Sequence, residues 1–478
     1  MSLHDEAPRG EAAWRGLTLA TLAAGFALTL ALNLPGQLSY DSVVQLADAR
    51  DGRYHAWHPP MMAWLMRQGD RVIPGTGLYL TGVAAILFGA LAAVTASASR
   101  VAWWAPLAAL ALVLQPQIVV WQGIVWKDVL FADALIGGFL LLSVAATPSR
   151  SRAARRALAI AACGLFVLCA LVRQNGVIAQ VFGAVALGGV AWRAGAKRTR
   201  AMSLAAAALV AMLLAGAGAS RMLSTHLAPD VGPAGQLRLL QMYDLAGTLA
   251  RAPTVDLAAL PPPLAASLSG PALGRYTAER VDPFSLDPAV SDAVDNGAPG
   301  LETAWRGAVL AHPVAWLRHR AAVFGWMLSP PDLNRCAPVY TGVDGPPDLL
   351  ARLKLRPHVR LQDMKLERYA NAFYGTPLYS HLVWGAVDLA LLIGFLRSRR
   401  PEALPLAALM AAALAYTLSF ALIGVACDYR YLYALDLTGL AGLFQLCLGA
   451  GLKGRLRSGG LSTRRGGPPA ATPLGSRP

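Results

Sequence analysis

Long apolar stretches recur along the chain and are separated by short polar or charged turns. A helix needs about 20 mostly apolar residues to cross the hydrocarbon core of a membrane. Ten stretches reach or approach that length, so the pattern predicts an all-α polytopic membrane protein with about ten transmembrane helices. We place these spans near residues 15–34, 77–98, 101–120, 127–147, 157–173, 176–192, 201–219, 379–396, 403–425 and 432–452.

One long polar region interrupts this pattern and divides the chain into four predicted parts. Residues 1–219 form an N-terminal transmembrane core of spans one to seven, with interfacial helices in the loop 35–76. Residues 220–378, between spans seven and eight, form a periplasmic or extracellular domain. Residues 379–452 hold spans eight to ten, and 453–478 form a basic, disordered cytoplasmic tail.

Residues 302–328 of the predicted outer domain have helical periodicity but carry Arg318, His319 and Arg320 near their middle. An arginine at the centre of a transmembrane helix costs about 2.5–3.5 kcal/mol on insertion scales. We therefore predict an amphipathic helix that lies on the membrane surface instead of a further span.

Composition and charge support the membrane assignment and give it an orientation. Hydrophobic residues make up 55% of the chain and charged residues only 14%, which excludes an ordinary soluble enzyme. The net charge of +15 is concentrated at the termini and in turns at 100, 149–156, 193–200 and 397–402. Basic loops stay cytoplasmic, so these turns and both termini are predicted to face the cytoplasm, and no nucleic-acid partner is needed to explain them.

The first outer loop carries the most distinctive cluster of polar and aromatic residues. A short helix is predicted over 42–50, ended by Gly52, and His58 with the two prolines after it opens a second one. Asp41 then lies at the outer membrane surface, where a carboxylate can take a proton from a substrate hydroxyl. The alternative is that Asp41 only caps the first helix.

The second outer loop places Trp121, Trp126, Lys127 and Asp128 where span three turns into span four. Tryptophan at that depth is common in any membrane protein, and an acid at a helix N-terminus is favoured by the helix dipole. Two aspartates at one membrane depth, each beside an aromatic residue and a cation, instead favour a shared pocket.

Two further outer-end positions supply cations. Arg173 lies between spans five and six, and Arg430 lies beside Tyr429 at the start of span ten. Arginine binds phosphate oxygens in bidentate fashion, and a neighbouring tyrosine can stack on a sugar. The alternatives are that Arg430 pairs locally with Asp428 and that Arg173 reaches the lipid headgroups.

Two aspartates are predicted to lie inside the membrane. Asp388 lies in span eight, and Asp133 lies about one turn below the head of span four. Intramembrane acids are expected to be functional by default, as in a proton-coupled transporter. An interhelical hydrogen bond would explain each of them equally well.

The five cysteines follow no metal-binding or redox spacing. Cys336 and Cys427 fall on the side predicted to be oxidising, where they can form one disulfide between the outer domain and the end of span nine. Cys163, Cys169 and Cys447 fall within spans and are predicted to stay reduced.

The loop motifs resemble the GT-C superfamily of integral-membrane glycosyltransferases, including glycosyltransferase 39 and the dolichyl-phosphate-mannose-protein mannosyltransferases. The matching pieces are Asp41 in SYDS, His58 in HPP, Asp128 at the head of span four, Arg173 in LVRQNG and Arg430 in RYLYAL. They occur in the family's order and on one predicted membrane side.

The resemblance implies roles for individual residues. It makes Asp41 the catalytic base, and it gives Asp128 a part in binding the acceptor or a metal. Many relatives have an acid just before the Pro-Pro pair, where this chain has Trp57-His58. A divalent cation is therefore left open as a cofactor, and His58 is a candidate to replace the acid as a hydrogen-bond donor to phosphate.

The sequence thus predicts a glycosyltransferase of the bacterial inner membrane and cell envelope. It would move a hexosyl or pentosyl group from a polyprenyl-phosphate donor to a glycan, lipid or protein acceptor on the outer face. Asp41 and Asp128 are the predicted catalytic residues; the predicted substrate-binding residues are Trp57, His58, Lys127, Arg173, Tyr429 and Arg430. The alternatives are a proton-coupled transporter, a flippase for a lipid-linked substrate, and a scaffold whose outer domain binds a partner.

Overall fold

The computed structural model describes residues 6–55, 57–148, 150–228, 232–336 and 338–449. Within these ranges the regular secondary structure is helical, and β-pairing is limited to isolated bridges between loops. The predicted all-α polytopic fold is confirmed. The predicted basic tail, residues 453–478, lies outside the described residues.

The first ten helices form the N-terminal membrane region and its interfacial loop. They are α1 (Glu6–Asn33), α2 (Tyr40–Asp51), α3 (Met61–Val72), α4 (Gly77–Ser97), α5 (Ala105–Val113), α6 (Pro116–Val119), α7 (Lys127–Ala145), α8 (Arg152–Val172), α9 (Val177–Arg193) and α10 (Arg198–Ser224).

The remaining helices form the segment between spans seven and eight and the C-terminal membrane region. They are α11 (Gly232–Leu249), α12 (Pro262–Leu268), α13 (Pro271–Gly274), α14 (Asp282–Ser285), α15 (Pro288–Asn296), α16 (Leu301–Ala311), α17 (Pro313–Leu328), α18 (Pro347–Leu353), α19 (Leu361–Asn371), α20 (His381–Arg397), α21 (Ala403–Ile423) and α22 (Tyr433–Leu448).

All ten predicted spans coincide with helices, but they differ in length. Within the described ranges, seven helical stretches are long and apolar enough to cross a membrane, namely α1, α4, α7, α8, α10, α21 and α9 together with the helical turn before it, Gln174–Arg193. Two others, α20 with 17 residues and α22 with 16, are shorter.

The stretch predicted as the third span is a bent pair of helices and not one straight helix. α5 ends at Val113, and the pair bends by 60° before the second helix begins at Pro116. Gln115 is extended, with ψ 140°, because a proline disfavours the helical conformation of the residue before it.

α7 is the central helix of the membrane region. It packs against α4, α8, α21 and α22, and almost all its residues are buried. Its apolar residues, such as Phe131, Ile136 and Phe139, allow it to be surrounded by other helices on every side. Its N-terminal residue, Lys127, is therefore held at a fixed place at the end of the bundle.

The segment after α10 has a hydrophobic core of its own, formed by buried residues between Leu239 and Val323. The single surface helix predicted over 302–328 is wrong, because the chain forms α16 and α17 with a break at His312, directly before Pro313. His319 and Arg320 do not face lipid headgroups but are buried beside Asp244.

The buried Asp244 carboxylate accounts for this difference. Its Oδ1 lies 2.6 Å from Arg320 Nε and 3.2 Å from His319 Nε2, and Trp305 Nε1 donates to its Oδ2 at 2.9 Å. Arg320 also donates to the Gly424 carbonyl at 2.8 Å. A charge partner far away in the sequence thus draws these side chains into the protein and ties this segment to the end of α21.

The predicted disulfide between Cys336 and Cys427 is confirmed, and it joins positions 91 residues apart. Cys163, Cys169 and Cys447 are free, also as predicted. The bond links the chain after α17 to the chain after α21, close to the residues that form the candidate site.

Candidate active site

Backbone pairing between three loops fixes the start of the first loop. The Gln37 N–H donates to the Gly123 carbonyl at 2.9 Å, and the Val125 N–H donates back to Gln37 at 3.0 Å. On the other side, the Leu38 N–H donates to the Gly342 carbonyl at 2.9 Å. Residues 37–38 are therefore held between the second loop and the segment that follows α17.

The Gln37 side chain reinforces this junction. It is fully buried, its Oε1 accepts from the Gly342 N–H at 2.6 Å, and its Nε2 donates to Asp363 Oδ1 at 3.2 Å. Sequence reasoning missed Gln37, because nothing near it in the chain identifies partners more than 300 residues away. It positions the helix that carries Asp41.

Asp41 lies in the first turn of α2 and does not cap the helix. The N-cap residue is Ser39, and no side chain caps the helix by a hydrogen bond. The Ser39 hydroxyl instead accepts from Trp126 Nε1 at 2.7 Å, and Asp41 Oδ2 accepts from Arg430 Nη1 at 2.6 Å. The capping alternative for Asp41 is therefore wrong.

Arg430 lies between two carboxylates. In addition to Asp41, it contacts Asp428 Oδ2 at 3.2 Å through Nη2. Its guanidinium carbon lies 5.1 Å from the centre of the Trp126 ring and 5.4 Å from that of Tyr431. These contacts on two sides fix the guanidinium in one orientation.

An open cavity of about 170 Å³ borders these groups. The side chains of Asp41, Asp428 and Arg430 are partly accessible, with 25%, 25% and 18% of their surface exposed. Two carboxylates and one guanidinium are thus available to a small polar ligand among aromatic walls. The lining residues are Ser39, Tyr40, Asp41, Trp126, Tyr340, Asp428 and Arg430.

His58 and Lys127 reach Asp41 from the other side. His58 Nε2 lies 3.6 Å from Asp41 Oδ1, and Lys127 Nζ lies 2.9 Å from His58 Nδ1. With Nδ1 as the acceptor from Lys127, the neutral ring carries its proton on Nε2, the nitrogen nearer Asp41.

The electrostatics of the site give its groups different protonation behaviour. Burial alone would raise the pKa of Asp41, but the neighbouring His58 ring and the Arg430 guanidinium hold that pKa well below its usual range. Burial and the charge of Lys127 lower the pKa of His58. Burial raises the pKa of Asp428 despite its contact with Arg430. At neutral pH, Asp41 is therefore ionised and His58 is neutral.

Asp128 and Arg173 are close to this site but bind each other. They form an ion pair in which the side chains are only 2% and 11% exposed. Arg173 also lies over the Tyr431 ring, at 5.2 Å from its centre. Neither residue lines the cavity around Asp41. Lys127, by contrast, has no carboxylate partner within ion-pair distance in the described part of the chain.

The other two predicted binding residues also point elsewhere. Tyr429 is buried, and its hydroxyl donates to Asp436, whose other oxygen lies 2.8 Å from His381 Nδ1. Trp57 packs against the hydrophobic core of the segment after α10, and its carbonyl accepts from Gln236. Both residues pack around the site, and neither lines its cavity.

The intramembrane acids differ in their contacts. Asp133 accepts from Gln122 Nε2 at 2.8 Å, a hydrogen bond to the turn just before α7 and not to another span. Asp388 is fully buried, and neither of its oxygens has a hydrogen-bond partner among the described residues.

A metal does not fit the residues around Asp41. Arg430 contacts both Asp41 and Asp428 and supplies the positive charge that a cation would otherwise provide. Over the residues that the structure describes, no group of three or more His, Cys, Asp or Glu side chains is placed to hold a metal ion.

Comparison with known proteins gives structural similarities only. No protein-family model matches the chain, and no curated protein matches its sequence. The fold is similar to that of the archaeal oligosaccharyltransferase AglB from Archaeoglobus fulgidus, solved with an inhibitory peptide and a dolichol-phosphate. That match has 15% identity and a TM-score of 0.39, and it covers 89% of this chain but only 50% of AglB.

The fold is also similar to that of ArnT from Cupriavidus metallidurans. The apo structure gives 16% identity, a TM-score of 0.34 and coverage of 91% of this chain and 78% of ArnT. The structure with undecaprenyl phosphate gives 14% identity, a TM-score of 0.34 and coverage of 90% and 78%.

Proposed function

We propose that this protein is a membrane glycosyltransferase that moves one sugar from a polyprenyl-phosphate donor to an acceptor hydroxyl. The observation that supports this function is the environment of Asp41. The carboxylate is ionised, borders an open cavity, and has one oxygen bound by Arg430, while the other lies 3.6 Å from His58 Nε2 and accepts no hydrogen bond shorter than this among the described residues.

The proposed reaction is a single displacement at the sugar carbon. The acceptor hydroxyl binds at Asp41 Oδ1 and gives up its proton to the carboxylate as its oxygen attacks. The new C–O bond forms while the bond between the sugar and the phosphate breaks, and the bonding electron pair leaves with the phosphate oxygen. A single displacement inverts the configuration of the sugar carbon.

The leaving phosphate needs positive charge that is not already engaged. Arg173 and Arg430, the two arginines predicted to hold phosphate, are each paired with carboxylates, whereas Lys127 has no carboxylate partner among the described residues. Lys127 also begins α7, and the free N–H groups at a helix N-terminus favour an anion. We assign the phosphate to Lys127 and the head of α7, with Arg173 holding Asp128 in place beside them.

Arg430 then has a positioning role together with its charge. It holds Asp41 in one orientation and separates it from Asp428, so the two carboxylates experience different environments. Asp428 borders the same cavity and is a candidate to bind an acceptor hydroxyl beside Asp41.

The experiment that tests this proposal compares purified Asp41→Asn and Asp428→Asn proteins in a sugar-transfer assay with a lipid-phosphate donor. Each change removes one carboxylate from Arg430 and leaves the other, so the two variants are matched in their effect on the arginine. Asp41→Asn is expected to lower transfer by roughly 10²–10⁴-fold, the usual contribution of a positioned general base. Asp428→Asn should cost much less.

A third variant distinguishes transfer from transport. If a proton-coupled transporter were the correct assignment, Asp388→Asn would be the damaging change and Asp41→Asn would be close to silent. Near-normal turnover of Asp41→Asn at matched thermal stability would contradict the glycosyltransferase mechanism. Analysis of the product anomer tests the predicted inversion separately.

A further inference from the structure

A second cavity lies at the end of the helix bundle opposite to Asp41. α7 begins at the site with Lys127, and its 19 residues, at about 1.5 Å each, carry it roughly 28 Å to the other end. There the ends of α4, α7, α20 and α22 meet the start of α21 around an open cavity of about 190 Å³. The mechanism proposed above makes no use of it.

The rim of this cavity is strongly basic. Arg100 and Arg400 line it, and Glu402 is its one lining carboxylate. Arg150 Nη2 donates to Ser97 Oγ at 2.5 Å, and Arg15 Nη2 donates to the Ala98 carbonyl at 2.8 Å.

A further arginine, Arg193, donates to the carbonyl of Arg400 at 2.9 Å. None of these five arginines forms an ion pair within the described ranges of the chain. The positive charges therefore exceed the single negative charge of Glu402, which leaves the rim with unbalanced positive charge.

The interior of the cavity has a different character from the rim. Val94, Val144, Phe395, Leu406 and Leu446 give it an apolar wall that continues into the membrane-spanning helices. Such a surface favours a hydrocarbon chain over a fully hydrated ion.

Hydrogen-bond donors lie between the apolar wall and the basic rim. Ser99, Thr147 and Ser398 place hydroxyl groups there. Gln445 also lines the cavity, and its buried Nε2 has no hydrogen-bond partner among the described residues. A buried, unpaired amide donor is stabilised when a ligand that enters the cavity supplies an acceptor.

We propose that this cavity binds an anionic phospholipid. Its phosphate lies between Arg100 and Arg400 with the hydroxyl groups beside it, and an acyl chain packs on the apolar wall. Basic pockets between transmembrane helices recognise lipid headgroups through this combination of charge and apolar surface. A soluble anion would use the rim but would leave the wall exposed to water.

The location of the cavity distinguishes a membrane phospholipid from the lipid-linked sugar donor. The cavity is separated from Asp41 by the full length of α7, so its occupant is a membrane phospholipid and not the sugar donor. The bound lipid would contact the ends of α4, α20 and α21 together. This inference does not depend on the proposed glycosyltransferase function.

The experiment measures lipid binding by native mass spectrometry on the purified full chain, with phosphatidylglycerol or phosphatidylcholine added. We expect phosphatidylglycerol to bind more tightly than phosphatidylcholine. The double variant Arg100→Gln with Arg400→Gln should lose phosphatidylglycerol affinity by roughly 30-fold, from the usual contribution of two basic side chains near a membrane surface. Phosphatidylcholine binding should not change.

The matched control is Arg198→Gln with Arg200→Gln, which removes two exposed arginines outside the cavity. It should change phosphatidylglycerol affinity by less than about threefold, since it removes charge without touching the cavity. Equal losses in the two double variants, or an unchanged affinity in the cavity variant, would overturn the proposal. Competition by inorganic phosphate alone, at the affinity of the lipid, would overturn the assignment to a phospholipid. Thermal midpoints without lipid establish that both variants are folded.

Discussion

Arg430 illustrates how one residue can set the chemistry of its neighbours. Because its guanidinium binds Asp41 at 2.6 Å and Asp428 at 3.2 Å, the two carboxylates share a single positive charge. Asp41 also has His58 beside it and its pKa falls, whereas burial dominates at Asp428 and its pKa rises. A pair of acids with separated pKa values can divide the work of proton transfer and substrate binding.

Lys127 gives the sharpest prediction about substrate binding. Lys127→Gln should raise the KM for the lipid-phosphate donor about tenfold or more, as expected for the loss of a hydrogen bond to a charged group. The turnover number and the thermal stability should change little, because Lys127 has no carboxylate partner among the described residues. Steady-state kinetics with varied donor concentration measure this effect.

Arg173→Gln is the contrasting change. It leaves the buried Asp128 without its partner, which typically costs about 3–5 kcal/mol, so its main effect should be a lower thermal midpoint. A raised donor KM in Arg173→Gln, together with an unchanged KM in Lys127→Gln, would show that the phosphate is assigned to the wrong residue.

The sequence identified Asp41, His58, Lys127 and Arg430, which the structure places together, because each lies in a loop of unusual composition. It gave Asp428 only as a local partner of Arg430 and could not identify Tyr340 or Gln37 as members of the same site. The side-chain hydrogen-bond partners of Tyr340 and Gln37 lie more than 300 residues away, and the sequence around them contains no sign of such contacts. The same limit hid the pairing of Arg173 with Asp128.

At the level of single elements, α2 shows how a helix end is fixed by one residue. Gly52 ends the helix with φ 69°, a left-handed conformation that costs other residues about 1–2 kcal/mol. A Cβ atom at this position would lie 2.5 Å from Arg67 Nη1, which donates to the Ala49 carbonyl at 2.7 Å. The glycine is thus required by conformation and by space.

Gly52→Ala should therefore lower the thermal midpoint more than the same substitution at a left-handed glycine in open space. Gly375 is the matched control, since its φ is 74° and nothing lies within 4 Å of a Cβ atom there. Gly375→Ala should cost about 1–2 kcal/mol. Gly52→Ala should cost about 1.5–3 kcal/mol more than Gly375→Ala, because the new Cβ disturbs the hydrogen bonds of Arg67. Equal shifts in thermal unfolding would show that Arg67 moves away freely.

The boundaries of elements were predicted less well than their existence. Apolar length was enough to locate all ten helical regions of the membrane part. The breaks at Pro116 and Pro313 were missed, although both prolines are visible in the sequence, because apolar periodicity continues across them. The helix α17 was placed on the membrane surface for its charges, but Arg320 and His319 are instead buried beside Asp244, while Arg318 is exposed.

For the whole molecule, the proposed function depends on which side of the membrane the loops occupy. A cysteine placed at Leu286, which is 75% exposed, should react with a membrane-impermeant reagent in intact cells. Cysteines at Ala153 and Arg198, both exposed, should not react until the membrane is opened. The natural cysteines give little background, because two are bridged and three lie in spans. The reverse labelling pattern would contradict the predicted orientation.

The contact between Asp41 and Arg430 joins residues 389 positions apart, and this separation governs when the site exists. A ribosome adds roughly 5–20 residues per second, so about 20–80 s pass between the synthesis of the two residues. During that interval Asp41 has no guanidinium beside it, and its carboxylate has the properties of a solvated surface acid. A chain that stops before Arg430 would therefore reach the membrane without a working site. The proposed enzyme acquires its active carboxylate only when the last part of the chain has been made.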